Sequence, residues 1–110
     1  MQEFSISVVR DPEFYQYSEP ETRFYHWGDI DLGGFSICLR LKNEIIPQLE
    51  PYLMNAETLK KMESYAKAFG EGYRKKLAKA LNDTRYEKFS DAIAYMLESG
   101  KRLEQEAFLI

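Results

Sequence analysis

Asp29 and Asp31 are the residues whose type and spacing come nearest to chemistry. They are two carboxylates one residue apart, behind an aromatic run (Phe24, Tyr25, His26, Trp27) and ahead of a glycine pair, Gly33 and Gly34. In an extended segment the side chains of residues i and i+2 share a face, so both carboxylates can converge on one hard divalent cation. Gly28 and the glycine pair allow a sharp strand-to-helix turn. A helix starting there adds backbone N–H donors and the positive end of a dipole, which suits a phosphate lying across the metal from the acids. The same spacing also occurs in ordinary loops as solvated turn chemistry.

Other residues invite chemistry less strongly. His26 lies in a buried strand pattern, where a lone histidine is more often core than ligand or acid. Cys38 falls inside a helical pattern and reads as packing. Tyr25 reads as core as well. Arg74, Lys75, Lys76 and Lys79 form a basic run at helical spacing, either a solvated face or a contact for DNA phosphate.

The elements that must position the acids can be read from periodicity. Phe4, Ile6 and Val8 alternate with Ser5 and Ser7, the period of a strand reaching Val9, and Asp11-Pro12 ends it. Pro12 to Thr22 has no clear period and reads as loop with at most one helical turn. Phe24 to Trp27 is a continuous apolar and aromatic run, as expected of a strand buried on both faces. The Asp pair then falls at its C-terminal edge, where open α/β sheets bind ligands.

Beyond the glycines, Ile37, Cys38, Leu41 and Ile45 predict one helical face, widened by Phe35, Leu39 and Ile46 and ended by Pro47 and Pro51. Tyr52 to Met54 could return as a strand. Asn55 predicts the N-cap of a second helix carrying Leu59, Met62, Ala66 and Phe69, with Gly70 as its stop. Tyr73, Leu77 and Leu81 mark a third. Thr84 and Glu87 predict a capping box for a fourth, with Tyr86, Phe89, Ile93, Met96 and Leu97 on one face and Gly100 past its end.

At 110 residues the chain is expected to form one domain, residues 1–110, with a single core. Hydrophobic residues at 45% argue against disorder, and a net charge of −3 excludes the global basic field of a free-standing nucleic-acid binder. If the chain touches DNA, other polypeptide must help. One cysteine excludes a disulfide framework and fits a reducing compartment, so the expected location is cytoplasmic, with no membrane span.

Three separated segments, FYHWGDIDLGGFSICLRL, PYLMNAETLKK and AYMLESGKRLEQEA, occur in the order expected of one family. Together they resemble the C-terminal domain of JetD, the nuclease subunit of the Wadjet anti-plasmid defence system. The resemblance runs from about Phe24 to Ile110 and leaves residues 1–23 unplaced. It implies a Toprim-like fold similar to that of the topoisomerase VI A subunit: α/β, a partial Rossmann-like sheet with a helical C-terminal half. It further implies Mg²⁺- or Mn²⁺-dependent cleavage of DNA phosphodiesters, with Asp29 and Asp31 as metal ligands and catalytic residues. The implied partners are DNA, in the full-length subunit, and other Wadjet subunits, with a homo-oligomer left open.

In the same family pattern Glu104 and Glu106 fall in the RLEQE segment. On a helix, residues two apart do not share a face, so at most one approaches the metal, and the other is solvated or paired with Lys101 or Arg102. The alternative is a salt-bridged terminal helix with no metal role. Toprim sites also use a glutamate on an earlier strand. Among the upstream acids only Glu3 is far enough back for a strand-and-helix crossover, and no family motif surrounds it. The chain is therefore expected to be a C-terminal portion of a nuclease subunit, incomplete as an enzyme alone.

Two other classes compete. One is a non-catalytic interaction domain that keeps the scaffold. The other is a phosphotransferase of the haloacid dehalogenase type, which also places Asp-x-Asp after a buried strand but wants a Thr or Val shortly after the pair and an acidic pair downstream. Here Leu32, Gly33 and Gly34 follow.

Overall fold

The computed structural model describes residues 3–5, 23–105 and 107. Strand β2 (Arg23–His26) lies between two parallel neighbours, β1 (Glu3–Ser5) and β3 (Leu49–Pro51), with Phe24 opposite both Phe4 and Leu49. Its central place explains its apolar sequence: Phe24 and His26 are buried on one face, and Tyr25 and Trp27 are half-covered on the other. The remainder of the expected first strand, Ile6 to Val9, and the expected loop from Pro12 to Thr22 lie outside the described residues.

Helix α1 (Leu32–Glu44) crosses from β2 to β3 and buries Gly34, Phe35, Cys38 and Leu41. Ile37, expected on that face, is 42% exposed. It precedes Cys38 by one residue and so points about 100° away from the buried row. The N–H groups of Ile45 and Ile46 both reach the Leu41 carbonyl, and Pro47 ends any continuation.

The strand expected at Tyr52 to Met54 forms earlier, as β3. Leu49 is fully buried beside Phe24, whereas Tyr52 and Leu53 are exposed and Leu53 turns into the left-handed region at φ 55°. Met54 is buried as the chain re-enters the core.

Asn55 caps α2 (Ala56–Lys61) as expected, accepting the Thr58 N–H at 2.9 Å. The helix does not continue to Phe69. After a short 3-10 turn at Glu63–Tyr65 the chain becomes β4 (Lys67–Ala68), antiparallel to β5 (Lys101–Arg102), and Phe69 N–H donates to the Gly100 carbonyl at 3.1 Å. Pairing with a segment distant in sequence has overridden the helical period of Ala66 and Phe69. Gly70, expected as a stop, stands at the N-cap position of α3 (Glu71–Leu81).

Helix α4 (Ser90–Ser99) follows a 3-10 turn, Thr84–Phe89, whose cap is Asp83 rather than the expected Thr84 and Glu87 pair; Asp83 accepts the Arg85 N–H at 3.0 Å. Gly100 ends α4 at φ 72°, with its N–H on the Met96 carbonyl at 2.8 Å, the left-handed cap its position predicted. Helices α2 and α3 pack on α4, and Phe35 of α1 stacks on Phe89 at 4.4 Å, which joins the sheet half to the helical half. The result is an α/β fold with a helical C-terminal half. No helix among the described residues is long and apolar enough to cross a membrane.

Candidate metal centre

The segment after β2 is held extended by its far partner. Ile30, fully buried, exchanges both backbone hydrogen bonds with Leu103, at 2.7 and 3.2 Å. With Ile30 turned into the core, Asp29 and Asp31 fall on the opposite side of the segment, both half-buried, beyond the C-terminal end of a central parallel strand. A strand bridge thus sets both aspartates on one side of the segment. The same bridge corrects the reading of a terminal helix from residue 101 on: over residues 101 to 105 the chain is β5, the bridge at Leu103 and the start of a short turn.

Each carboxylate already carries a backbone hydrogen bond. Asp31 is the N-cap of α1 and accepts the Gly34 N–H at 2.7 Å through Oδ1. Asp29 accepts the Gln105 N–H at 2.6 Å through Oδ1, which ties the C-terminal segment to the site. The second oxygen of each has no hydrogen-bond partner among the described residues. Gly34 is obligatory here, because a Cβ would collide with the Asp29 carbonyl oxygen.

The electrostatics favour a cation. Burial pushes the Asp31 carboxyl above its ordinary range, and the charges of Asp29 and Glu104 add to the rise, against the Gly34 N–H and the Arg102 charge. Two half-buried carboxylates with hard oxygens to spare fit Mg²⁺, which keeps several waters and takes one or two carboxylates plus phosphate oxygens. Among the described residues no three of His, Cys, Asp and Glu group closely enough to hold a metal. Glu104 lies near enough for its charge to act on Asp31, and it pairs with Lys67 at 3.3 Å. Glu106 lies outside the described residues. Glu3, the candidate upstream acid, pairs in register with Arg23 at the start of β2, so it sits at the opposite end of the parallel strands from the Asp pair.

Other candidates resolve into packing. His26 is 1% exposed, its imidazole folded over Gly28, where a Cβ would meet Nε2 at 2.6 Å. Cys38 is buried and its thiol is pushed up to about 11 by desolvation. Arg74 leaves the basic run: its Nη1 donates to the Leu97 carbonyl at 2.7 Å and its guanidinium lies 5.5 Å from the Phe69 ring centre, while Lys75, Lys76 and Lys79 remain exposed.

Two residues at the site were not singled out by spacing. The Tyr73 hydroxyl accepts the N–H of Leu32, the first residue of α1, at 2.8 Å. The Arg102 guanidinium lies 5.4 Å from the centre of the Tyr73 ring. Periodicity marks Tyr73 as a helix-face residue and Arg102 as an ion-pair candidate, and only the β4–β5 pairing brings them to the acids.

A family model described as Wadjet protein JetD, C-terminal, matches residues 7–110 of this chain. A curated relative, the Wadjet protein JetD of Bacillus cereus (strain Q1), is 40% identical over 85 residues, which cover 77% of this chain and 21% of the relative. The chain spans about a fifth of the length of the curated relative it matches. No solved structure matches.

Proposed function

We propose, for a chain that belongs to the Wadjet JetD C-terminal family, that Asp29 and Asp31 form the metal-holding part of a DNA nuclease site of the Toprim type. The observation that carries this reading is the pairing of two half-buried carboxylates, each with an oxygen to spare, beyond a central parallel strand and at the start of α1. Mg²⁺ or Mn²⁺ bound there would stabilise charge on a phosphodiester and lower the pKa of a bound water. The chain's own residues hold the carboxylates in place: Gly34 N–H fixes Asp31, Gln105 N–H fixes Asp29, and the Ile30–Leu103 bridge keeps both on one side. A further acid is supplied by polypeptide outside the described residues, and DNA and other Wadjet subunits are the partners of the assembled protein.

The test is Mg²⁺-dependent plasmid cleavage by this chain joined behind the upstream portion of a full-length JetD. Asp29→Asn and Asp31→Asn should each reduce cleavage by roughly 100-fold or more, since each removes a ligand charge while keeping its backbone hydrogen bond. Undiminished cleavage by both variants would refute the assignment.

A second reading has one observation in its favour. Both aspartates hold backbone, as cap and as clamp, which is the role they would keep in a non-catalytic interaction domain. Retained metal binding without cleavage in the joined protein would select that reading.

A further inference from the structure

Packing does not account for Arg102. It lies in β5 opposite Lys67, one residue before the Leu103 that bridges Ile30 between the two aspartates. Its guanidinium is stacked 5.4 Å from the Tyr73 ring centre, and Tyr73 in turn accepts the first N–H of α1, next to Asp31. The cation therefore stands at the rim of the acid pair. Its Nε is buried without a hydrogen-bond partner, and no carboxylate among the described residues pairs with it within ion-pair distance. A buried guanidinium N–H left unmade is costly, and here acids are close by and still not engaged. The side chain as a whole is only half-buried, so although Nε is covered, the part of the guanidinium left accessible can meet an anion from outside, and a planar fork held against an aromatic face suits phosphate oxygens.

We infer that Arg102 is a substrate-binding residue that grips a non-bridging oxygen of a DNA phosphodiester at the Asp29 and Asp31 site, with Tyr73 as the residue that positions it. The inference rests on the nuclease reading for its ligand, but it is measured independently of metal and of cleavage. Tyr73 holds the guanidinium against its ring and the start of α1 through its hydroxyl.

The experiment follows the Arg102 Nε–H resonance of the chain, joined behind the upstream portion of a full-length JetD, during titration with a short duplex DNA, first with chelator and then with Mg²⁺. The expected result is a shift that tracks duplex binding in both conditions. Arg102→Gln should weaken duplex binding about tenfold and lower the slope of log K against log salt by about one, while Arg102→Lys should keep the slope and recover part of the affinity. A resonance that stays still while the duplex binds, duplex affinity unchanged in Arg102→Gln, or no duplex binding by the wild type would each overturn the inference. The wild-type resonance decides the matter even where a variant folds poorly. Trace Mn²⁺ that fails to broaden Asp29 and Asp31 while Arg102 still responds to DNA would remove the metal reading and leave Arg102 as a phosphate contact.

Discussion

Asp31 carries two tasks that single substitutions can separate. As an N-cap it needs only an oxygen facing the Gly34 N–H, which asparagine also provides; as a metal ligand it needs charge. Without metal, Asp31→Asn should therefore melt at or above the wild-type temperature, because it removes a carboxylate whose ionised form is disfavoured by burial and by Asp29 and Glu104. Its thermal midpoint should no longer rise with Mg²⁺. Asp31→Ala should lose the cap as well, about 1 kcal/mol in urea unfolding, so equal metal-free stability of the Asn and Ala variants would contradict the cap. Cys38 gives a second prediction at this scale. Its thiol is held up to about 11 in the folded chain against 9.0 unfolded, so the folded state keeps its proton where the unfolded state loses it. This contribution to stability is fully present below pH 9.0 and is lost as pH rises toward about 11. Urea midpoints should fall across that window in wild type and less so in Cys38→Ala, and a thiol reagent at neutral pH should modify Cys38 only as fast as the chain unfolds.

At the scale of elements, the approach of α1 to the Asp29 segment depends on Gly34, where a Cβ has no room beside the Asp29 carbonyl. Gly34→Ala should cost about 1–3 kcal/mol by overpacking and should displace Asp31 from its cap, whereas Gly33→Ala, whose Cβ would meet only Asp31 Oδ1 at 3.4 Å, should be mild. Equal urea midpoints for the two variants would show that the close approach is not needed. What could be read from the sequence follows the same division between local and distant causes. The Asn55 cap and the Gly100 stop were legible because each is set by residues within a turn of itself, whereas the Asp pair stands out by spacing and is held by Leu103 and Gln105 from far along the chain. Strand β3 forms earlier than the apolar Tyr52 to Met54 suggest, because Pro51 can close a strand that needs no N–H from its last residue and because Tyr52 and Leu53 face outward. The end of α2 and the true path of residues 101 to 105 were hidden, since β4 and β5 exist only through each other and the Leu103 bridge exists only through Ile30. Arg102 and Tyr73 were missed at the site for that reason.

For the whole molecule, the division of labour is between a sheet half that presents the acids and a helical half that closes over them through β5 and Gln105. Closure joins distant parts of the chain, so the site should assemble only with the global fold. The described residues supply two carboxylates with oxygens to spare and a third acid already paired with Lys67, on a chain of net charge −3. Efficient cleavage of plasmid by the 110-residue chain alone is therefore not expected; Mg²⁺-dependent nicking that disappears in Asp31→Asn would show that the chain already holds every group the reaction needs. The most direct test of the central claim is paramagnetic broadening of backbone amide resonances by trace Mn²⁺ in the wild-type chain and in Asp31→Asn. The account predicts broadening centred on Asp29, Asp31, Leu32 and Gln105 in wild type and its loss in the variant. Broadening centred on another acidic patch such as Glu57 and Glu63, or broadening at the pair that is the same in both chains, would contradict it.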